Sequence, residues 1–139
     1  MNTEYINNVE FTNSPTYQDF LNNNKGIGFL MIRANAASGA IPISNLKVVV
    51  SKEINGDKVI FFDGTTDSSG MIERISLPAP IQDENNLDVP RYATYDIEAT
   101  YEEDNIKDKY NVNIYNDLIT SQKIIITPSN YLRSGYNGY

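Results

Sequence analysis

The chain has no cysteine, no histidine and no tryptophan in its 139 residues. Without cysteine there is no disulfide framework, and no thiolate to act as nucleophile or metal ligand. Without histidine the commonest general acid/base, the usual nitrogen ligand and the near-neutral charge switch are lost together. Positive charge is also scarce: 11 Lys and Arg stand against 18 Asp and Glu, a formal net charge of −7. The cations are scattered singly, so a nucleic-acid backbone or an anionic membrane would be repelled. Nothing approaches the ~18 apolar residues of a membrane-spanning helix. The opening Met1-Asn2-Thr3-Glu4-Tyr5 lacks a basic and then apolar leader pattern. We therefore expect no signal peptide and synthesis in a cytoplasm, with exit by lysis, by incorporation into a virion or spore, or by a non-Sec route.

What is present fits one domain with tails. The hydrophobic fraction is 40%, enough for a single modest core, with 10 Tyr and 5 Phe. Residues 1–25 form a polar, Asn-rich arm with isolated apolar positions, among them Tyr5, Phe11, Tyr17, Phe20 and Leu21. Ser14-Pro15 opens a short helix, with Ser at the N-cap and Pro at the first position. Its Tyr17, Phe20 and Leu21 share one face. Such an arm is either disordered, or it docks its aromatics on a neighbouring subunit or on its own domain.

Residues 26–128 read as seven short strands. Leu30, Ile32 and Ala34 alternate with Phe29, Met31 and Arg33 over residues 28–35. The second strand covers 46–54, with Leu46, Val48 and Val50 inward and Lys47, Ser51 and Glu53 outward. Asn55-Gly56 supplies the positive φ angles of a type I′ hairpin turn, and residues 58–62 return as the third strand. Asp67 and Gly70 define a second tight turn, Asp67 through its side-chain acceptor and Gly70 through its left-handed backbone. Residues 71–77 form the fourth strand, which Pro78 and Pro80 are expected to stop. The acidic stretch 81–91 is too long for a simple hairpin and should cross between sheets. Strands follow at 93–101, 110–115 and 119–127, the last ended by Pro128; residues 129–139 are a Tyr/Gly-bearing tail. Frequent turns and no long helix argue an all-β, antiparallel two-sheet sandwich with Greek-key connections.

The succession Gly-x-Leu-x-Ile, Ala-Ile-Pro-Ile, Lys-Val-Val-Val, Thr-Asp-Ser-Ser-Gly, Ile-x-Leu-Pro-Ala-Pro and Tyr-Asp-Ile-x-Ala resembles the carboxypeptidase-regulatory-like domains. The form it looks most like accompanies spore-cortex-lytic and peptidoglycan-binding proteins of Firmicutes. The resemblance covers residues 26–128 and implies a transthyretin-like (prealbumin-like) sandwich without catalytic activity. We expect no attached enzymatic domain, with an aromatic arm and a Tyr/Gly tail in its place.

Chemistry is weakly marked. Asp83, Glu84 and Asp88, or Glu102, Glu103 and Asp104, are adjacent acids on loops, which read as solvated charge and not as a pair held across a cleft. Calcium would be the fitting metal for an oxygen-only ligand set, but Asp63 and Asp67 lack loop-binding spacing and Asp67 reads as a turn-former. Glu98 alternates outward, and the first strand offers Arg33 where an intramolecular isopeptide would need Lys. We therefore expect no catalytic residues, no metal and no cofactor. The expected function is a structural or docking subunit of a larger assembly, a phage or tail-like particle or a spore or wall layer. Its partners would be copies of itself or other subunits, bound through Tyr5, Phe11, Tyr17, Phe20, Leu21, Tyr131, Tyr136 and Tyr139. A glycan or peptidoglycan recognition module and a surface adhesin are the alternatives, with Tyr92 and Tyr115 as further exposed rings.

Overall fold

A computed structural model describes residues 14–36, 40–101 and 106–126. Among them are eight strands and a single helix, α1 (Pro15–Asn23). The strands are β1 (Gly26–Ala36), β2 (Ile41–Pro42), β3 (Lys47–Ile54), β4 (Asp57–Thr65), β5 (Met71–Ala79), β6 (Ala93–Tyr101), β7 (Ile106–Ile114) and β8 (Ile119–Ile126). One more strand is present than the seven expected, because Ile41 and Pro42 pair briefly with Ala36 and Asn35.

Two four-stranded sheets face each other. One has the order β4-β3-β6-β7, all antiparallel. In the other, β1 is central: β5 runs antiparallel along one edge, β2 follows β5 on that edge, and β8 runs parallel along the other, so this sheet is mixed and not wholly antiparallel as expected. Strand alternation buries one side of each sheet. Leu30, Ile32, Ala34, Leu77, Ile124 and Ile126 from one sheet meet Val48, Val50, Tyr95, Ile97 and Ile114 from the other, all fully buried. The connection between β5 and β6 crosses from sheet to sheet, as its length predicts.

Both turns take the geometry their residues dictate. Asn55 and Gly56 have φ of 52° and 88°. Asp67 accepts from the backbone N–H of Ser69 and Met71, each at 2.9 Å, and Gly70 sits at φ 76°. Thr66 is buried beside this turn; its hydroxyl donates to the Ile43 carbonyl at 2.6 Å and accepts from Leu46 N–H at 3.0 Å.

The expected stop at Pro78 is corrected. β5 continues through Ala79, with Pro78 opposite Ile27. Proline is tolerated because β5 is an edge strand among the described residues, so the missing N–H breaks no second ladder. Pro80 is the first residue beyond the strand.

α1 belongs to the same core. Ser14 caps it by accepting from Tyr17 N–H at 3.2 Å, and Pro15 starts it. Tyr17 and Phe20 are buried and Leu21 packs against the core. Phe20 contacts Phe61, whose ring meets the edge of Tyr95 at 5.2 Å and 84°.

Candidate functional site

The sequence-predicted contact residues divide in two. Tyr5, Phe11, Tyr131, Tyr136 and Tyr139 lie outside the described residues. Tyr17, Phe20 and Leu21 are brought together, but on the chain's own sandwich. Tyr17 and Phe20 are buried there, Tyr17 stacked on Phe20 and Phe20 against Phe61. Tyr92 and Tyr115 meet each other at 5.4 Å, with Tyr92 exposed. Among the described residues no three of Asp and Glu gather into a metal-holding group.

The surface that stands out is the outer side of the β1 sheet. Alternation that buries Leu30, Ile32, Ile124 and Ile126 turns Ile27, Phe29, Met31 and Arg33 of β1 outward, together with Ile119, Ser121, Lys123 and Ile125 of β8. Ile27, Leu118 and Ile119 are more than half exposed. They are neighbours: Phe29 lies opposite Ile119, and Phe29 N–H donates to the Leu118 carbonyl at 2.9 Å. The guanidinium of Arg74 covers the Phe29 ring at 4.3 Å.

This face is cationic in an acidic protein. Arg33 and Lys123 stand directly opposite each other across β1 and β8. Like charges in that relation repel. Neither they nor Arg74 forms an ion pair with any described residue. β8 is also an edge strand among the described residues, so its outer backbone groups are open to another chain.

The acidic connection between β5 and β6 has the opposite character. It carries Asp83, Glu84 and Asp88, with Ile81, Leu87 and Val89 exposed before, among and after them. It is braced from within. Gln82 donates to the Arg91 carbonyl at 2.8 Å and accepts from Arg91 N–H at 2.9 Å, and Asp83 accepts from Asn85 N–H at 2.9 Å. The loop therefore holds its acids and apolar side chains outward on a fixed frame. Sequence reading found the loop's charge but missed the basic, apolar face, because its residues come from strands far apart in the chain. The available signal was the adjacent apolar pair Leu118-Ile119 directly after the polar Asn116-Asp117.

No protein-family model matches the chain, and no curated protein matches it. Solved structures do. The crystal structure of an (S)-allantoin synthase aligns with TM-score 0.52 at 11% identity, over 81% of this chain and 46% of that one. This chain thus spans under half of that protein's length. Transthyretin from Sparus aurata aligns with TM-score 0.45 at 15% identity, over 71% of this chain and 88% of that one. The first likeness, at such identity, concerns the fold alone.

Proposed function

We propose that this chain is a non-catalytic structural subunit that assembles with copies of itself. The acidic, apolar loop at 81–91 of one copy lies on the cationic, apolar outer side of the β1 sheet of another. This keeps the subunit role expected from the sequence but places the contact on the sandwich and not on Tyr17 or Phe20. The observation that carries the reading is the facing pair Arg33 and Lys123, without an ion-pair partner among the described residues and beside exposed Ile119, in a chain of net charge −7. Assembly would supply the counter-charge and cover the apolar residues.

The test is light scattering on the full chain over a range of concentration and salt. Association should appear at low salt and weaken as salt rises. A face variant, Arg33→Glu with Lys123→Glu, should be monomeric. So should a loop variant, Asp83→Lys with Asp88→Lys. Mixing the two should restore association, because the swapped charges again match. A chain that stays monomeric at high micromolar concentration and low salt defeats the proposal, as does association that both variants retain.

A further inference from the structure

The opposite sheet carries a second feature of different chemistry. On its outer side Ser51 of β3 lies directly opposite Asp96 of β6, which in turn faces Asn111 of β7. Asn111 donates to Asp96 through its amide. Lys58 of β4 reaches Glu98 of β6 at 2.8 Å, and Lys109 of β7 approaches the same carboxylate at 3.6 Å. Because β3 lies between β4 and β6, the Lys58–Glu98 pair spans β3. These groups, with Glu53, line a depression of about 340 Å³.

Ser51 is the unexpected member. Its place in the alternation predicts an outward, solvated hydroxyl, yet it is 3% exposed. Its Oγ makes no hydrogen bond to any described residue, while the side chain lines the depression. Buried hydroxyls normally have partners, since an unmade bond costs stability. Room for the Lys58–Glu98 span does not account for it; alanine would leave the same clearance and bury no hydroxyl.

We infer that this depression is a binding site for a primary ammonium group. Three oxygen-bearing side chains share this part of the depression: Ser51, Asp96 directly opposite it, and Glu53 two residues along β3 on the same face. An alkylammonium offers three donors on a compact head, which matches that set. Glu98 is already neutralised by Lys58 and Lys109, so the charge left to attract a ligand belongs to Glu53 and Asp96. Neither forms an ion pair with a described residue. A neutral polyol would gain hydrogen bonds here but no charge attraction to the two carboxylates. Lys58, directly opposite Glu53 on β4, and Lys109 repel a second cation and offer donors to an acceptor two or three bonds from the amine. The site thus suits an amine bearing a neighbouring oxygen, as in an amino sugar, or the lysine side chain of a partner protein.

The experiment is a backbone-amide NMR titration of the full chain. The probes are n-butylamine, n-butanol of the same shape, glucosamine, and a capped Gly-Lys-Gly peptide. n-Butylamine should shift the amides around Ser51, Asp96 and Asn111 saturably, with a Kd on the order of millimolar, the range of one charge-assisted contact. n-Butanol should not. Asp96→Asn and Ser51→Ala should each weaken butylamine binding at least about tenfold, about 1.4 kcal/mol, with spectra otherwise folded. Tighter binding of glucosamine than of the peptide assigns a small amine as the source, and the reverse order assigns a partner's lysine. Equal shifts with n-butanol, no saturable shift with n-butylamine, or unchanged binding in both variants overturns the inference. Self-association through the β1 sheet is read independently by light scattering, so neither result decides the other.

Discussion

Tyr95 ties the two sheets together, and removing its hydroxyl is the sharpest test of the packing described above. The residue stands on β6, fully buried, and its phenol donates across the interior to the carbonyl of Pro78 on β5. The ring also supports Phe61 and lies 5.5 Å from the ammonium of Lys52. Tyr95→Phe keeps the ring and deletes one donor, so the part-buried carbonyl loses its partner. The expected cost is about 1–3 kcal/mol. For a chain of this size each kcal/mol lowers the melting midpoint by about 3–5 °C. Urea unfolding should show a lower midpoint with an unchanged slope, because the surface exposed on unfolding is the same.

The same phenol makes an alkaline prediction. Burial, with a smaller contribution from nearby Tyr17, raises its pKa well above the ordinary 10.0. The folded state therefore holds this proton more tightly than the unfolded chain. That contribution to stability is complete below pH 10.0 and is lost as the pH climbs above it. Wild type should lose stability above pH 10 more steeply than Tyr95→Phe. A Tyr95→Phe chain within about 0.5 kcal/mol of wild type at neutral pH, with the same alkaline slope, would refute the reasoning.

Further outcomes follow from other parts of the molecule. Gly56→Ala and Gly70→Ala both force a side chain into positive φ, but a Cβ at Gly56 meets nothing within 4 Å while one at Gly70 comes 2.5 Å from the Ala34 carbonyl. Gly56→Ala should cost about 1 kcal/mol, and Gly70→Ala distinctly more, measured by thermal unfolding. Glu98 is held below the ordinary carboxylate pKa, chiefly by the hydrogen bond from Lys58. Its contribution is present above pH 4.5 and is lost as pH falls, so Glu98→Gln should flatten the acid limb of a stability-versus-pH curve. Phe20→Ala should cost about 3 kcal/mol by urea unfolding, since it empties the contact between α1 and Phe61; a cost near zero would mean that the helix is not part of the core.

Much of this architecture is readable from residue order. The alternation around Leu30 and Ile32, around Val48 and Val50, and through Tyr95, Ile97 and Ala99 matches what is buried. Asn55-Gly56 and Asp67 to Gly70 mark their turns because positive φ and local side-chain acceptors are properties of a few residue types. Pro78 was misleading for a definite reason: whether proline ends a strand depends on which edge of the sheet that strand occupies. Ser51 misled in the same way, as its exposure depends on what lies beside it across the sheet.

The sequence alone determined the class of fold, because a period of two and strong turn residues act over a few positions at a time. It also excluded thiol and imidazole chemistry by composition. Only the tertiary structure decided where Tyr17 and Phe20 are spent, which strand ends each sheet, and that Arg33 faces Lys123. Those facts join residues separated by up to ninety positions, and only the pairing of β8 with β1 brings the last two together. The surfaces proposed here for assembly and for amine binding are of that second kind.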